Sequence, residues 1–491
     1  MTELADNTPV LVGVAAVQEK QDDYRAAREP VALMEQALRD AASDAGCDEL
    51  LEGAQEIMVP ASLWGYSDPA RLLAEAVGAS VARTLFAEIG VSQQHVLDLA
   101  CQRIVQGDAE IVLVAGGEAR YRAQCAKRVG EEAAETQQPD TEPDVRLRPE
   151  AELWSEVESA AGLGMPVGYY AIMDSALRRQ LGQDLDEHRS EMAATYARFS
   201  EIAAGNPDAW SDSAVAAEHI RGASEDNRML AFPYTKLHNS QWNVNQAAGL
   251  VFCSAGKARE LGIDSSKWVY PCASAEANFM SVVASRKDLG SCTGFRIAGR
   301  RVMDMAGIDF SDVTLRELYS CFPYAVRVQM AEFGLRGGGD LSVTGGMTFG
   351  GGPLNNFVFQ ATVKMAQLLR LQPEELGLVT TVSGMVTKQA CALWSCTVPA
   401  AGWQFADVSE EVRASTDLCE LVADYQGVGS VAGYTVLWQG SAPWRAIAVF
   451  DLPEDRRTVA FSENSTIMQD MMHRECGGLE YRLTDGQFYA L

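Results

Sequence analysis

Residues 90–107, GVSQQHVLDLACQRIVQG, have the layout of a helix that presents a reactive group. Such a helix starts sharply, buries one stripe and stops at Gly107. Free N–H groups and the positive end of the dipole at its start lower a cysteine's pKa and ready the thiolate to attack a carbonyl. Yet the corner residue is Gly90, followed by Val91 and Ser92. Ser92 reads as an N-cap or as a hydroxyl offered to a substrate carbonyl. His95, one turn on, reads as a buried polar contact or as a base.

Other chemistry-bearing stretches are weaker. GSCTG at 290–294 has the glycine–nucleophile–glycine spacing of a hydrolase elbow, with Cys292 in the middle. That elbow needs a strand before it, a helix after it and an Asp and a His downstream, and only His473 follows. RGGGD (336–340) and GGGP (350–353) lack the G-x-G-x-x-G spacing of a dinucleotide fingerprint and read as tight turns. The second can also bring backbone amides close to a carbonyl. The chain has 11 cysteines and 5 histidines. It has no CxxC, and the nearest cysteine pair, Cys391 and Cys396, has no histidine at zinc spacing, so no metal site is expected.

The elements that must position these residues alternate. VLVGVAAV (10–17) is a buried-strand run, and 31–45 puts Met34, Ala37, Leu38, Ala41 and Ala45 on one helical face. EIMVPAS (56–62) is a strand. The helix of the opening stretch buries Val96, Leu97, Ala100, Cys101 and Ile104, and EIVLVAGG (110–117) is a central strand. This β-α-β-α-β order predicts an α/β layer with a mainly parallel sheet. From 131 to 158 the chain is acidic, with Arg146 and Arg148 as its only bases, and reads as an exposed loop or solvated linker. Helical patterns such as YYAIMDSALRRQL and EMAATYARFSEIAAG then suggest an inserted helical excursion. Alternation returns with LRELYSCF as a strand running into a loop, Pro323 opening a helix, Pro353 opening another, and LGLVTTVSG (376–384) as a buried strand. Near 404 the texture becomes β-rich, and GYTVLWQGSAPWRAIAVFDL reads as a hairpin.

The 491 residues carry a net charge of −27, which argues against nucleic-acid binding and against docking on an anionic membrane. An anionic ligand needs only a local positive site and stays allowed. The region from 404 holds fourteen acidic and six basic residues, so a small barrel there lacks the basic groove nucleic acid requires and reads as a docking domain. The N-terminus shows no secretory signal pattern and no run is long enough to span a membrane, so a cytoplasmic location is expected.

Several stretches together resemble the thiolase superfamily, in the longer branch of acetyl-CoA acetyltransferase-type proteins with an added C-terminal domain. They are TPVLVGVAAVQ, CQRIVQGDAEIVLVAGGEA, PYTKLHNSQWNVNQAAGLVFCSAGKARELGI, LRELYSCFPYAVRVQMAEFGL, TGGMTFGGGPLNNF and LVTTVSGMVTKQA, spanning roughly 8–400. The resemblance implies a five-layered α/β/α/β/α core of two βαβαβαββ halves, a helical loop domain and a small β-rich C-terminal domain. The expected bounds are 1–125, 126–265, 266–403 and 404–491. It implies acyl-CoA chemistry of lipid metabolism, with a coenzyme A thioester or acyl carrier as substrate, no bound cofactor, and a small partner protein as a further candidate. The family dimerises through a sheet edge that an added domain can block, so homodimer and monomer both stay open.

The same resemblance locates the reaction centre. Family members use a helix-start cysteine as nucleophile, a second cysteine for proton transfer, and an asparagine-held water with a histidine as oxyanion hole. Here the nucleophile's place falls on Gly90, with Ser92 two residues on. The Asn-Glu-Ala-Phe motif falls on Tyr319, Ser320, Cys321 and Phe322. The Gly-His-Pro turn falls on Gly351, Gly352 and Pro353, and no cysteine stands before Gly384. Tyr319, Ser320 and Cys321 become the candidate catalytic residues. Gly90, Ser92, Gly351, Gly352, Pro353 and Gly384 become the candidate oxyanion and ligand surround. His238, Asn239 and Asn243 become a candidate wall of the ligand tunnel, the alternative being a hydrogen-bonded loop. Two functions follow: acyl-transfer or carbon–carbon bond chemistry without an acyl-cysteine, a retro-aldol lyase among the variants, or a non-catalytic module that binds acyl-CoA or protein.

Overall fold

In the first half, apolar strands alternate with one-sided helices. They are β1 (Pro9–Gln18), α1 (Pro30–Ala45), β2 (Glu56–Pro60), α2 (Pro69–Val77), β3 (Arg83–Ala87), α3 (Gln93–Gln106) and β4 (Ile111–Ala119). The computed structural model describes residues 4–139, 141–149, 154–335 and 339–491. Asp140, Glu150 and Glu152 of the acidic stretch and Arg336, Gly337 and Gly338 of RGGGD lie outside them. The helical stripe expected in the opening stretch is present: Val96, Leu97, Ala100, Cys101 and Ile104 are all buried in the main core.

The excursion contributes β5 (Val145–Leu147), α4 (Pro166–Gln180) and α5 (Leu185–Ala204) before the chain re-enters the core as β6 (Asn245–Ser254). The first sheet runs β1-β6-β4-β2-β3-β5. β4, β2, β3 and β5 are parallel, and β6 is antiparallel between β1 and β4. Ten consecutive buried residues make β6 the most enclosed strand of this sheet.

The second half follows with β7 (Tyr270–Asn278), α6 (Thr293–Ala306), β8 (Leu315–Glu317), α7 (Pro323–Phe333), α8 (Phe357–Leu371), β9 (Leu376–Ser383), β10 (Lys388–Ser395) and β11 (Gln404–Asp407). Its sheet runs β8-β9-β10-β7-β11. Pairing directions repeat those of the first half, with β7, β8, β9 and β10 in the roles of β1, β2, β4 and β6. Among the described residues no strand lies between α7 and α8, where the first half has β3. The glycine-rich turn occupies that stretch instead. Helix α3 touches strands of both sheets, and Gln93 at its start accepts from Val358 N at 2.8 Å in the first turn of α8. The two central helices thus meet at their N-terminal ends.

Gln404–Asp407 pair in parallel with β7, so the first β-rich residues after 403 belong to this sheet rather than to the added domain. That domain comprises β12 (Gly427–Gln439), β13 (Ala442–Leu452), β14 (Arg456–Ser462), α9 (Ser465–His473), β15 (Glu480–Thr484) and β16 (Gln487–Ala490). The strands pair in the ring β12-β13-β14-β16-β15-β12, with β14 and β16 parallel. A helix between the third and fourth strands completes the connectivity of an OB-type barrel. Its docking partner is the chain's own loop domain. Tyr434 N donates to Ser175 Oγ at 2.8 Å, Phe232 N donates to Val436 O at 2.8 Å, and Gly433 lets its strand approach the Ile172 carbonyl. Among the described residues no helix is long and apolar enough to cross a membrane.

The acidic stretch is not a free linker. Asp144 Oδ2 accepts from Thr84 N at 2.8 Å and from Arg71 Nη2 at 3.0 Å, and Glu135 Oε2 accepts from Gly65 N at 3.1 Å. Its acids are there to satisfy donors at the edge of the first sheet, and Val145–Leu147 then pair along β3. One edge of the first sheet is therefore covered by the excursion. A three-residue edge strand offers little for a second copy to pair with. The protein is expected to run as a monomer in light scattering at micromolar concentration. A stable dimer would show that another face takes over association.

Candidate functional site

The turn before α3 forms the first wall. Gly90 has φ +105°, a conformation that side chains other than glycine's resist, and a β-carbon on it would stand 3.0 Å from Cβ of Pro149. Its carbonyl accepts from the ammonium of buried Lys388 at 2.8 Å. Ser92 occupies the N-cap position, but its side chain caps nothing, and its buried Oγ has no partner among the described residues. The cap reading of its side chain is thereby corrected. The Val91 amide is already used by Glu88 O at 3.1 Å.

Tyr319, Ser320 and Cys321 follow β8. Tyr319 N donates to Thr380 Oγ1 at 2.8 Å, and its carbonyl accepts from Gln329 Nε2 at 3.0 Å. Its ring meets Phe357 edge-on at 5.6 Å, and burial holds its phenol well above the ordinary tyrosine range. Ser320 Oγ accepts from Met347 N at 3.0 Å and so anchors the glycine-rich turn. Burial pushes the Cys321 thiol up to about 12, leaving it protonated, although a hydrogen bond with the Tyr170 hydroxyl works the other way.

Glycines in the turn are there because neighbours fill the space above them. Gly351 has φ +106°, and a β-carbon on it would overlap the Gln246 side chain. A β-carbon on Gly352 would overlap the Ser240 hydroxyl. Gly352 N already donates to Gln241 O at 2.8 Å, so it is not free to polarise a carbonyl. Pro353 does not open α8 as expected. Its ψ of 52° is non-helical, and the single turn Leu354–Asn356 intervenes before the helix starts at Phe357.

The segment returning from the loop domain supplies that filling. His238 is buried, and burial lowers its pKa to about 3, so it is neutral. Its Nδ1 accepts from Thr235 N at 3.2 Å, and its buried Nε2 has no partner among the described residues. Asn239 Nδ2 donates to Thr235 O at 2.5 Å, and Asn243 N donates to Gln241 Oε1 at 3.3 Å. These bonds shape the loop that carries Ser240. Ser240 N in turn donates to Cys321 O at 3.2 Å.

The candidate residues do converge. Tyr170 on α4 stacks on Phe322 at 4.4 Å, bonds the Cys321 thiol and reaches Gly384 O at 3.4 Å. Lys388 joins that wall to Gly90, and Ser240 joins Cys321 to Gly352. Tyr170, Ser240 and Lys388 are the residues sequence reasoning missed. Tyr170 sits in a helical run whose aromatics read as core, and a lysine at a strand start reads as surface. Cys292 heads α6 with no strand before it and receives Gln389 Nε2 at 3.2 Å, and burial pushes its thiol up to about 11. The hydrolase-elbow reading fails there. Among the described residues no group of three His, Cys, Asp or Glu side chains could hold a metal.

Below this centre His95 Nδ1 bonds Glu276 at 2.6 Å, and Asp98 accepts from Ser274 Oγ at 2.6 Å and from Gln94 Nε2 at 3.0 Å. Burial, with Glu276 close by, raises Asp98 to about 7.

Neighbouring side chains fill the space above Gly90, Gly351 and Gly352. No protein-family model matches the chain. An acetyl-CoA acetyltransferase of Methanocaldococcus jannaschii is 27% identical over 179 residues, 36% of this chain. The match spans only 43% of that relative's length. A monomeric SCP2-thiolase-like protein type 1 from Mycobacterium smegmatis superimposes with a TM-score of 0.84 over 100% of both chains at 24% identity. The Ltp2–ChsH2(DUF35) aldolase superimposes with a TM-score of 0.60, at 17% identity, over 79% of this chain and 98% of that one. The chain shares the thiolase-like fold of these structures.

Two outcomes test this geometry. Gly352→Ala is expected to destabilise the protein by about 1–3 kcal/mol through overpacking. Adding Ser240→Ala is expected to restore much of the loss in a double-mutant cycle, and strict additivity would disprove the contact. Asp98 binds a proton more tightly folded than unfolded, so its contribution to stability falls as pH rises from about 4 to about 7. Asp98→Asn should therefore melt higher than the parent at pH 8 and near it at pH 5.

Proposed function

We propose that the protein binds a coenzyme A thioester with its thiolase fold and forms no acyl-cysteine. One observation carries this reading: the Ser240 hydroxyl fills the space above Gly352, where the oxyanion-hole histidine would need its side chain. Pro149 crowds Gly90 in the same way where the nucleophile would stand. A protonated Cys321, with its thiol at about 12, does not replace that nucleophile at neutral pH. The name of the Methanocaldococcus relative supports acetyl-CoA as the first ligand class to test.

A second reading has its own support. Phenols of Tyr170 and Tyr319 lie close to Cys321, and high phenol pKa values suit hydrogen-bond donation to a carbonyl rather than proton abstraction. Retro-aldol cleavage of a 3-hydroxyacyl thioester needs such a donor and no acyl-enzyme, and one fold neighbour is named an aldolase.

Acetyl-CoA is expected to raise the melting temperature without leaving an acetyl adduct in the intact mass, and Cys321→Ala should respond like the parent. An adduct on Cys321 would overturn the reading. Release of an aldehyde or ketone from a 3-hydroxyacyl-CoA, abolished by Tyr319→Phe or Tyr170→Phe, would select the second.

A further inference from the structure

A groove of about 270 Å³ opens where α4, the segment 287–289 and the barrel meet, lined by Arg179, Gln180, Lys287, Asp288, Asp451 and Arg457. Three of these six are cations, in a chain whose net charge is −27. The acids are already engaged. Asp451 accepts from Arg457 Nε at 2.7 Å, and Asp288 accepts from Gln180 Nε2 at 2.5 Å and Gly290 N at 2.9 Å. Arg457 also donates to the Arg286 and Lys287 carbonyls.

The other two cations are available. Among the described residues Lys287 pairs with Asp455 alone, and both side chains are solvated, 50% and 74% exposed, so the pair is weak and exchangeable. The Arg179 guanidinium has no hydrogen-bond or ion-pair partner among the described residues. It lies against Gly477 and Gly478, where a β-carbon on Gly478 would come within 2.6 Å of Nη2. Two glycines therefore let the guanidinium lie flat on the barrel's backbone.

The groove is also wired to the reaction centre. Arg286, the residue before Lys287, donates to Met385 O at 2.6 Å, beside Gly384. Arg179 shares α4 with Tyr170, nine residues and roughly 13 Å along the axis, on the opposite face of the helix. We infer that this groove binds a diphosphate, with Arg179 and Lys287 as its donors. On the acyl-thioester reading above, on which this identification of the source rests, the diphosphate is that of coenzyme A. The barrel then has a binding role, since it supplies the glycine pair beside Arg179, and its Arg457 holds the 286–287 backbone.

Titration calorimetry of the full chain at low salt tests this, with sodium pyrophosphate and acetyl-CoA as separate probes. Pyrophosphate is expected to bind, more weakly as salt is added. Arg179→Ala with Lys287→Ala, two exposed positions, should weaken both probes roughly tenfold or more, the scale of lost charge-assisted hydrogen bonds. Arg179→Ala alone should show part of the loss. No pyrophosphate binding by the parent, or unchanged affinity in the double variant, overturns the groove. Acetyl-CoA that binds the parent and the double variant equally also overturns it while leaving the acyl-thioester reading intact. Pyrophosphate binding lost in the variant, with acetyl-CoA silent in the parent, upholds the groove and removes coenzyme A as the source.

Discussion

Asp174, a carboxylate with no solvent exposure, ties together three parts of the molecule. It receives Arg327 from α7, His188 Nε2 from α5 at 3.0 Å and the Tyr234 hydroxyl from the returning segment at 2.7 Å. Burial alone would raise its pKa, but Arg327 and His188 outweigh that and hold it well below the carboxylate range. A charge this deep is tolerated only with its partners complete, and removing one strands the others. One turn further along α4, buried Arg178 bonds Glu475 Oε2 at 2.7 Å and the Tyr434 hydroxyl at 2.9 Å, both in the C-terminal domain. Helix α4 is thus fixed on one side to the second thiolase-like half and on the other to the barrel. Tyr170, the residue that closes the reaction centre, rides on that helix.

Much of this architecture was legible. Strands such as Pro9–Gln18 and Ile111–Ala119 are nearly all apolar, and α1 and α3 show helical stripes ending at Gly46 and Gly107. Those signals are local, and burial on a sheet or between two sheets produces them directly. Gly90 and Gly352 were singled out in the sequence through the family resemblance. What packs against them was not. Ser240, Gln246 and Pro149 meet those glycines across long sequence separations, and no local pattern announces such an approach. The pairing of Val145–Leu147 on β3 was hidden by the acids around it, which look solvated until Thr84 and Arg71 appear as their partners. A hairpin showed in the sequence of the C-terminal domain, but the barrel's closure depends on one parallel contact, Phe461 with Gln487, that periodicity cannot reveal.

The glycines of the candidate site are packed against neighbours rather than left beside empty space. A catalytic residue lost by drift leaves a hole, and a hole costs stability in proportion to its volume. Here Gly90 and Gly351 adopt positive φ, Gly352 lies beneath Ser240, and each has neighbours where a side chain would be. Restoring a cysteine or histidine would mean moving the 238–243 loop and the Pro149 turn, not just adding atoms. The centre is therefore a packed alternative with its own hydrogen bonds, Ser240 to Cys321 and Lys388 to Gly90 among them. Any ligand of this site must be recognised by groups that the packing leaves free.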